Sequence, residues 1–203
     1  MDMQDREPLE KTAVAGECGD SSKRYGFALD CIESGRFARA VEILDELLAE
    51  RGGDADTYYA RGVANMSSGN YRDAARDFLR AAALDRGFLH AYKNLGYVQL
   101  TMGREEQALK TLGRALAIDP GYVDAYCLLG DVHLDLGEYD TARAMIEKAL
   151  ELEPEGADPH CKMAMYHLAL GDLRGLRKEY EILKTLDPSL AGQIGGLFFS
   201  DNG

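Results

Sequence analysis

The stretch LHAYKNLGYVQLTMGREEQALKTLGRALAIDPGY, residues 89–122, runs directly into VDAYCLLGDVHLDLGEYDTARAMIEKALELEPEG, residues 123–156. Laid one on the other, the two 34-residue segments share a tyrosine at position 4, Leu-Gly at 7–8, glycine at 15, alanine at 20 and 27, and proline at 32. Counting outward in the same step gives three more units, 21–54, 55–88 and 157–190. Position 15 is then Gly35, Gly69, Gly103, Gly137 and Gly171, and position 20 is Ala40, Ala74, Ala108 and Ala142 before Leu176 breaks the series. A fixed period of this length means stacked copies of one supersecondary unit rather than one globular core.

Each unit reads as two helices. The first spans positions 1–14 and ends at the glycine, which takes a left-handed conformation without a Cβ clash. The second spans positions 17–30, and Pro120, Pro154 and Pro188 at position 32 stop it from continuing. Small residues at position 8 (Ala28, Gly62, Gly96, Gly130, Ala164) and at position 20 let the two backbones approach. Larger residues at position 24 (Leu44, Phe78, Leu112, Ile146, Tyr180) fill the space around them. A glycine inside a helix costs roughly 0.5–1 kcal/mol against alanine, so close packing is the expected compensation at Gly62.

This pattern resembles the tetratricopeptide repeat family. The third unit carries Tyr92, Leu95, Gly96, Ala108, Leu112, Ala115 and Pro120, and the fourth Tyr126, Leu129, Gly130, Ala142, Ile146, Ala149 and Pro154. The second has Arg86 in place of proline; the first has Arg24 at position 4 and Gly52 at 32; the fifth has His160 at 4 and Met163-Ala164 at 7–8. End units of a solenoid are expected to be atypical, since one face of each meets solvent. The expected fold is all-α: an α-α superhelix of five helix-turn-helix repeats over 21–190. Residues 1–20 read as a flexible acidic tail. Residues 191–203 read as a capping or docking tail, with Leu197, Phe198 and Phe199 as an apolar knot.

Composition excludes several classes. The net charge is −12, and no basic stripe of the kind a phosphate backbone needs is visible, so no nucleic-acid partner is expected. Anionic membrane surfaces are disfavoured for the same reason. No run of about 18 apolar residues exists to span a bilayer. The opening MDMQDREPLE is acidic and lacks the apolar stretch of a secretory signal, which makes a cytoplasmic location the expectation. Cys18, Cys31, Cys127 and Cys161 show no CxxC pairing and read as reduced thiols.

The resemblance implies a concave groove lined by the first helices, with positions 2, 5, 9, 12 and 13 pointing inward. Tyr25, Tyr59 and Tyr97 then place phenols along its N-terminal half, a residue type suited to binding surfaces. Met66 and Lys93 join them, and Asn94 at position 6 is placed to hydrogen-bond a peptide backbone. Cys127 follows at position 5 of the fourth unit. That unit holds nine acids against Arg143 and Lys148, and three of them, Asp124, Asp131 and Asp135, fall at groove positions, with Asp158 continuing the line. This end is expected to attract a basic segment, chiefly through association rate and specificity. The carboxylate clamp that some family members use for chain termini is missing: starting at unit two, its five positions read Tyr59, Val63, Asn94, Asp124 and Leu128, and only the asparagine fits.

No phosphate loop, dinucleotide fingerprint, nucleophile elbow or HExxH motif occurs. His133 and His167 share position 11 and read as core or boundary histidines. The spacing of Cys127 and Cys161 repeats the period, so neither a metal nor any other cofactor is expected. Two functions remain. One is a non-enzymatic adaptor that binds a peptide or helix, with a basic segment favoured. The other is a self-assembling scaffold, for example one associated with an organelle or membrane complex, that uses its end repeats and C-terminal tail as a homo-oligomer contact.

Overall fold

Position 15 decides where every first helix stops. In the computed structural model, which describes residues 13–198, Gly35, Gly69, Gly103, Gly137 and Gly171 all have φ between 67° and 80°. In each repeat the next N–H, at position 16, then reaches back to the carbonyl of position 11: Arg36 to Cys31 and Asn70 to Asn65 at 2.8 Å, Arg104 to Gln99 at 2.9 Å, Glu138 to His133 and Asp172 to His167 at 2.8 Å. This six-to-one bond satisfies a carbonyl that the helix end leaves orphaned.

The described residues form eleven α-helices and no strand. They divide into two units between Asp85 and Arg86. The first contains α1 (Ala13–Glu33), α2 (Phe37–Arg51), α3 (Ala55–Ser67) and α4 (Tyr71–Leu84). The second contains α5 (Leu89–Thr101), α6 (Glu105–Ile118), α7 (Val123–Asp135), α8 (Tyr139–Leu152), α9 (Ala157–Ala169), α10 (Leu173–Leu186) and α11 (Pro188–Phe198). From α3 to α10 every first helix covers positions 1–13 and every second helix positions 17–30. Helices pack in consecutive pairs within each unit, and first helices also touch: α1 with α3, α5 with α7, α7 with α9.

The two end segments lie at the limits of the described residues. Helix α1 begins at Ala13, inside the segment read as a flexible tail. Residues 1–12 lie outside the described residues. At the other end α11 packs on α10 and buries Ala191 and Ile194 against Leu176 and Leu183. The apolar knot lies beyond that contact: Phe199, and the side chains of Leu197 and Phe198, are outside the described residues.

The small-residue positions carry the packing. Ala28, Ala40 and Leu44 are fully buried in the first repeat, as are Ala74 and Phe78 in the second, Ala108 and Leu112 in the third, and Ala142 and Ile146 in the fourth. A Cβ placed on Gly96 would stand 2.7 Å from Leu112 Cδ2, and one on Gly130 2.6 Å from Ile146 Cγ1. In the fifth repeat Leu176 occupies the small-residue position and is still fully buried. There α11 closes over it where a sixth repeat would lie.

Repeats are also joined by polar contacts. Tyr126 at position 4 donates its hydroxyl hydrogen to the Pro120 carbonyl of the repeat before, at 3.2 Å. His160, which replaces that tyrosine in the fifth repeat, keeps the bond: its Nε2 is 3.0 Å from the Pro154 carbonyl. Its Nδ1 is 2.6 Å from Glu179 Oε2 at position 23. Position 23 holds buried polar groups in three repeats, namely Asp77, Thr111 and Glu179. Thr111 donates to Gln99 Oε1 at 2.8 Å, and Asp77 accepts from Asn65 Nδ2 at 3.2 Å and from Arg61 Nε and Nη2 at 3.0 and 2.6 Å.

Candidate partner-binding face

In the first unit the groove residues of the sequence reading are tied into packing. The Tyr25 hydroxyl donates to the Asp56 carbonyl at 3.4 Å, and burial first, then the nearby Asp56 and Asp54, pushes its phenol up from the usual value. The Tyr59 ring lies 5.6 Å from that of Phe78, tilted by 51°, so this tyrosine is anchored on the core. Met66 is half-buried. Both tyrosines therefore carry a structural load that their spacing alone does not reveal.

In the second unit α5, α7 and α9 lie side by side. Tyr97 is 44% exposed on α5, and Asn94 is half-buried beside it. The acids on this face are not equivalent. Lys93 on α5 holds Asp124 on α7, Nζ to Oδ2 at 3.2 Å. Lys162 on α9 holds Asp131 on α7 at 2.7 Å. Burial pushes the Asp131 carboxyl up even though Lys162 pulls the other way. For Lys162 burial works against the charge, but the attraction and hydrogen bond of Asp131 outweigh it and the pKa goes up. Asp135 and Asp158 are exposed and form no ion pair among the described residues. Of four acids read as one line, two are thus neutralised by lysines of neighbouring repeats.

Cys127 is 2% exposed. Burial first, then Asp158, pushes its thiol up to about 12, with Lys162 opposing. Cys161 is raised by burial, with Lys162 again opposing. Since only the thiolate is a nucleophile, Cys127 should resist alkylation by iodoacetamide at pH 8 in the folded protein and react once it is unfolded. Peptide mass mapping reads the difference, and labelling of native Cys127 as fast as of free cysteine refutes it. Among the described residues no group of three His, Cys, Asp or Glu side chains is placed to hold a metal ion, and no helix is long and apolar enough to cross a membrane.

Sequence reasoning missed Lys162, Arg61 and the position-23 acids. Arg61 had a legible signal. It stands at position 7, where the next three repeats have Leu95, Leu129 and Met163, and an acid appears at position 23 of the same repeat. An arginine in an apolar column needs a carboxylate partner.

Two family models, both described as tetratricopeptide repeat, match the chain, one over residues 25–87 and 59–123 and the other over 100–168. No curated protein sequence matches the chain. Among solved structures, a thermophilic TPR protein of Thermus thermophilus superposes with a TM-score of 0.76 at 21% identity, covering 89% of this chain and all of that one. MamA from Desulfovibrio magneticus gives 0.68 at 22%, covering 83% and 96%. YrrB, described as a TPR protein with an unusual peptide-binding site, gives 0.62 at 19%, covering 91% and 96%. At these identities the likeness is one of fold. With the 34-residue period, the glycine stops and the paired helices in register, the chain belongs to the tetratricopeptide repeat family.

Proposed function

We propose that this chain is a non-enzymatic interaction module that receives a basic segment on the face of α5, α7 and α9. The fold is typical of protein–protein interaction modules. One comparison between repeats carries the finer reading. Lys93 at position 5 reaches Asp124 at position 2 of the following repeat. One repeat later the same two positions hold Cys127 and Asp158. The acid is kept and its cation is replaced by a small buried thiol; Lys162 lies near Asp158 but is committed to Asp131, which leaves Asp158 open to a positive charge from a partner. Exposed Asp135 and Tyr97 extend the same face with a second acid and an aromatic surface. Residues 188–198 act in this reading as a cap on the fifth repeat, which favours the adaptor over the self-assembling scaffold. Such a module works without a cofactor.

N-acetylated, C-amidated hexalysine is the probe. Binding should weaken steeply with salt. Asp158→Asn and Cys127→Lys should each weaken it about fivefold, as expected for one half-exposed ion pair worth about 1 kcal/mol. Lys93 shows that a lysine is tolerated at the repeat position of Cys127. Glu151→Gln on α8 removes one charge elsewhere in the same repeat and should change nothing. Affinity that is equal at low and high salt, or equal loss in all three variants, refutes this reading.

A further inference from the structure

A cavity of about 460 Å³ opens between α2, α3 and α4 in the first unit, lined mainly by second-helix residues, with Tyr58, Arg61 and Asn65 from α3, and Tyr25 is not part of its wall. Three arginines and three aspartates border it, and their charges are unevenly committed. Arg61 divides its guanidinium between Asp45, at 2.5 Å, and Asp77. It also lies 5.6 Å from the centre of the Tyr58 ring. Both of those aspartates are therefore answered by one half-buried cation. Asp73 pairs with Arg76 three residues on. Arg80 lines the same cavity and has no acidic partner among the described residues.

Along α4, Arg72, Arg76 and Arg80 follow one another at four-residue spacing, so their side chains share one helix face. Like charges at that spacing repel and weaken a helix. The column has an energetic reason to exist if an anion relieves it. Each guanidinium offers five donors in a planar fork matched to a carboxylate. Arg76 gives one to Asp73, and Arg80 gives none to an acid among the described residues. Donors outnumber acceptors at this cavity, while each of its carboxylates already has a cation.

We infer that this cavity is a second binding site, specific for a carboxylate side chain of an acidic partner peptide, gripped by Arg76 and Arg80. A nucleic-acid backbone fits less well. Asp45 and Asp73 interrupt the arginines, and a continuous run of phosphates would meet them, whereas single carboxylates reach between. The site belongs to the first unit and the basic-segment face to the second, so it does not depend on that reading.

The probe is N-acetylated, C-amidated hexaglutamate, followed by fluorescence anisotropy on the full chain. Binding is expected and should weaken with salt. Arg76→Ala/Arg80→Ala should reduce affinity about tenfold or more, the scale of losing charge-assisted bonds. Lys110→Ala/Arg114→Ala removes the same charge at the equivalent positions of the third repeat and should leave it unchanged. Circular dichroism checks that both variants keep their helices, as alanine in a helix favours. Acetylated hexaalanine with a free C-terminus should not bind. No binding of hexaglutamate, equal loss in both double variants, Arg80-dependent binding of the free-terminus hexaalanine, or tighter binding of oligothymidylate would each overturn the inference.

Discussion

Asp77→Ala should lower the stability of the first unit by about 3 kcal/mol, near the lower end of the range for removing one partner of a buried ion pair. The Asp77 carboxylate is only 5% exposed and accepts three hydrogen bonds, two from Arg61 and one from Asn65. Alanine would leave Arg61 Nε–H and Nη2–H and the Asn65 Nδ2–H without their acceptor, with only Asp45 still holding Nη1, and unsatisfied buried polar groups carry the full desolvation penalty. Arg61 keeps 23% exposure, so water recovers part of the loss and holds the effect to the low end. Asp45 meets the same guanidinium from a carboxylate that is 54% exposed, so Asp45→Ala should cost under about 1 kcal/mol. Arg61→Leu/Asp77→Ile imports the residue types of Leu95 and Ile43 from equivalent positions of other repeats and should recover most of the loss, since apolar replacement of a buried pair is often neutral. Hydrogen exchange of α3 and α4 is the appropriate readout, because repeat proteins can unfold in parts. Equal losses for Asp77→Ala and Asp45→Ala would refute the burial argument.

Gly130→Val should cost about 3 kcal/mol, at the upper end of the overpacking range. A Cβ at this position would come within 2.6 Å of Ile146 Cγ1 and 3.2 Å of its Cδ1. Ile146 is fully buried and β-branched, so it has little rotamer freedom to yield. The helix gains a little propensity from losing a glycine, less than the roughly 0.5–1 kcal/mol of a change to alanine because valine is β-branched, and the clash outweighs it. Gly96→Ala is the contrasting case. Its neighbour Leu112 is γ-branched, and the first repeat already accommodates Ala28 at this position with Leu44 at position 24. That substitution should stay within about 1 kcal/mol of the parent. Thermal unfolding of the two variants decides between these outcomes. A Gly130→Val protein as stable as the parent means that α7 and α8 are not held at this separation.

The helix boundaries were legible because their causes are local. A glycine at position 15 takes positive φ in every repeat, and the second helices of the third to fifth repeats meet a proline at position 32, while α4 ends at the same position with Asp85 extended and Arg86 at 32. That is why α3 to α10 follow the 34-residue count. The α1 start was less legible because residues 1–20 fall outside the 34-residue count and hold Pro8, Thr12, Gly16, Gly19 and Asp20, each a candidate boundary by residue type. The candidate site was legible only as a set of positions. The count placed Asp124, Asp131, Asp135 and Asp158 on one face but said nothing of which carried a counter-charge.

From sequence alone come the repeat, the family, the paired helices and the small-residue positions where backbones meet, since all of these depend on residue type at a fixed chain spacing. Tertiary structure decided that Lys93 and Lys162 neutralise two of the four acids, that Cys127 is buried, and that Arg61 and Asp77 form a core pair. Those facts depend on ångström-scale distances between side chains 16 to 31 residues apart. Such distances are set by how one repeat packs on the next, and the period of the chain carries no record of them.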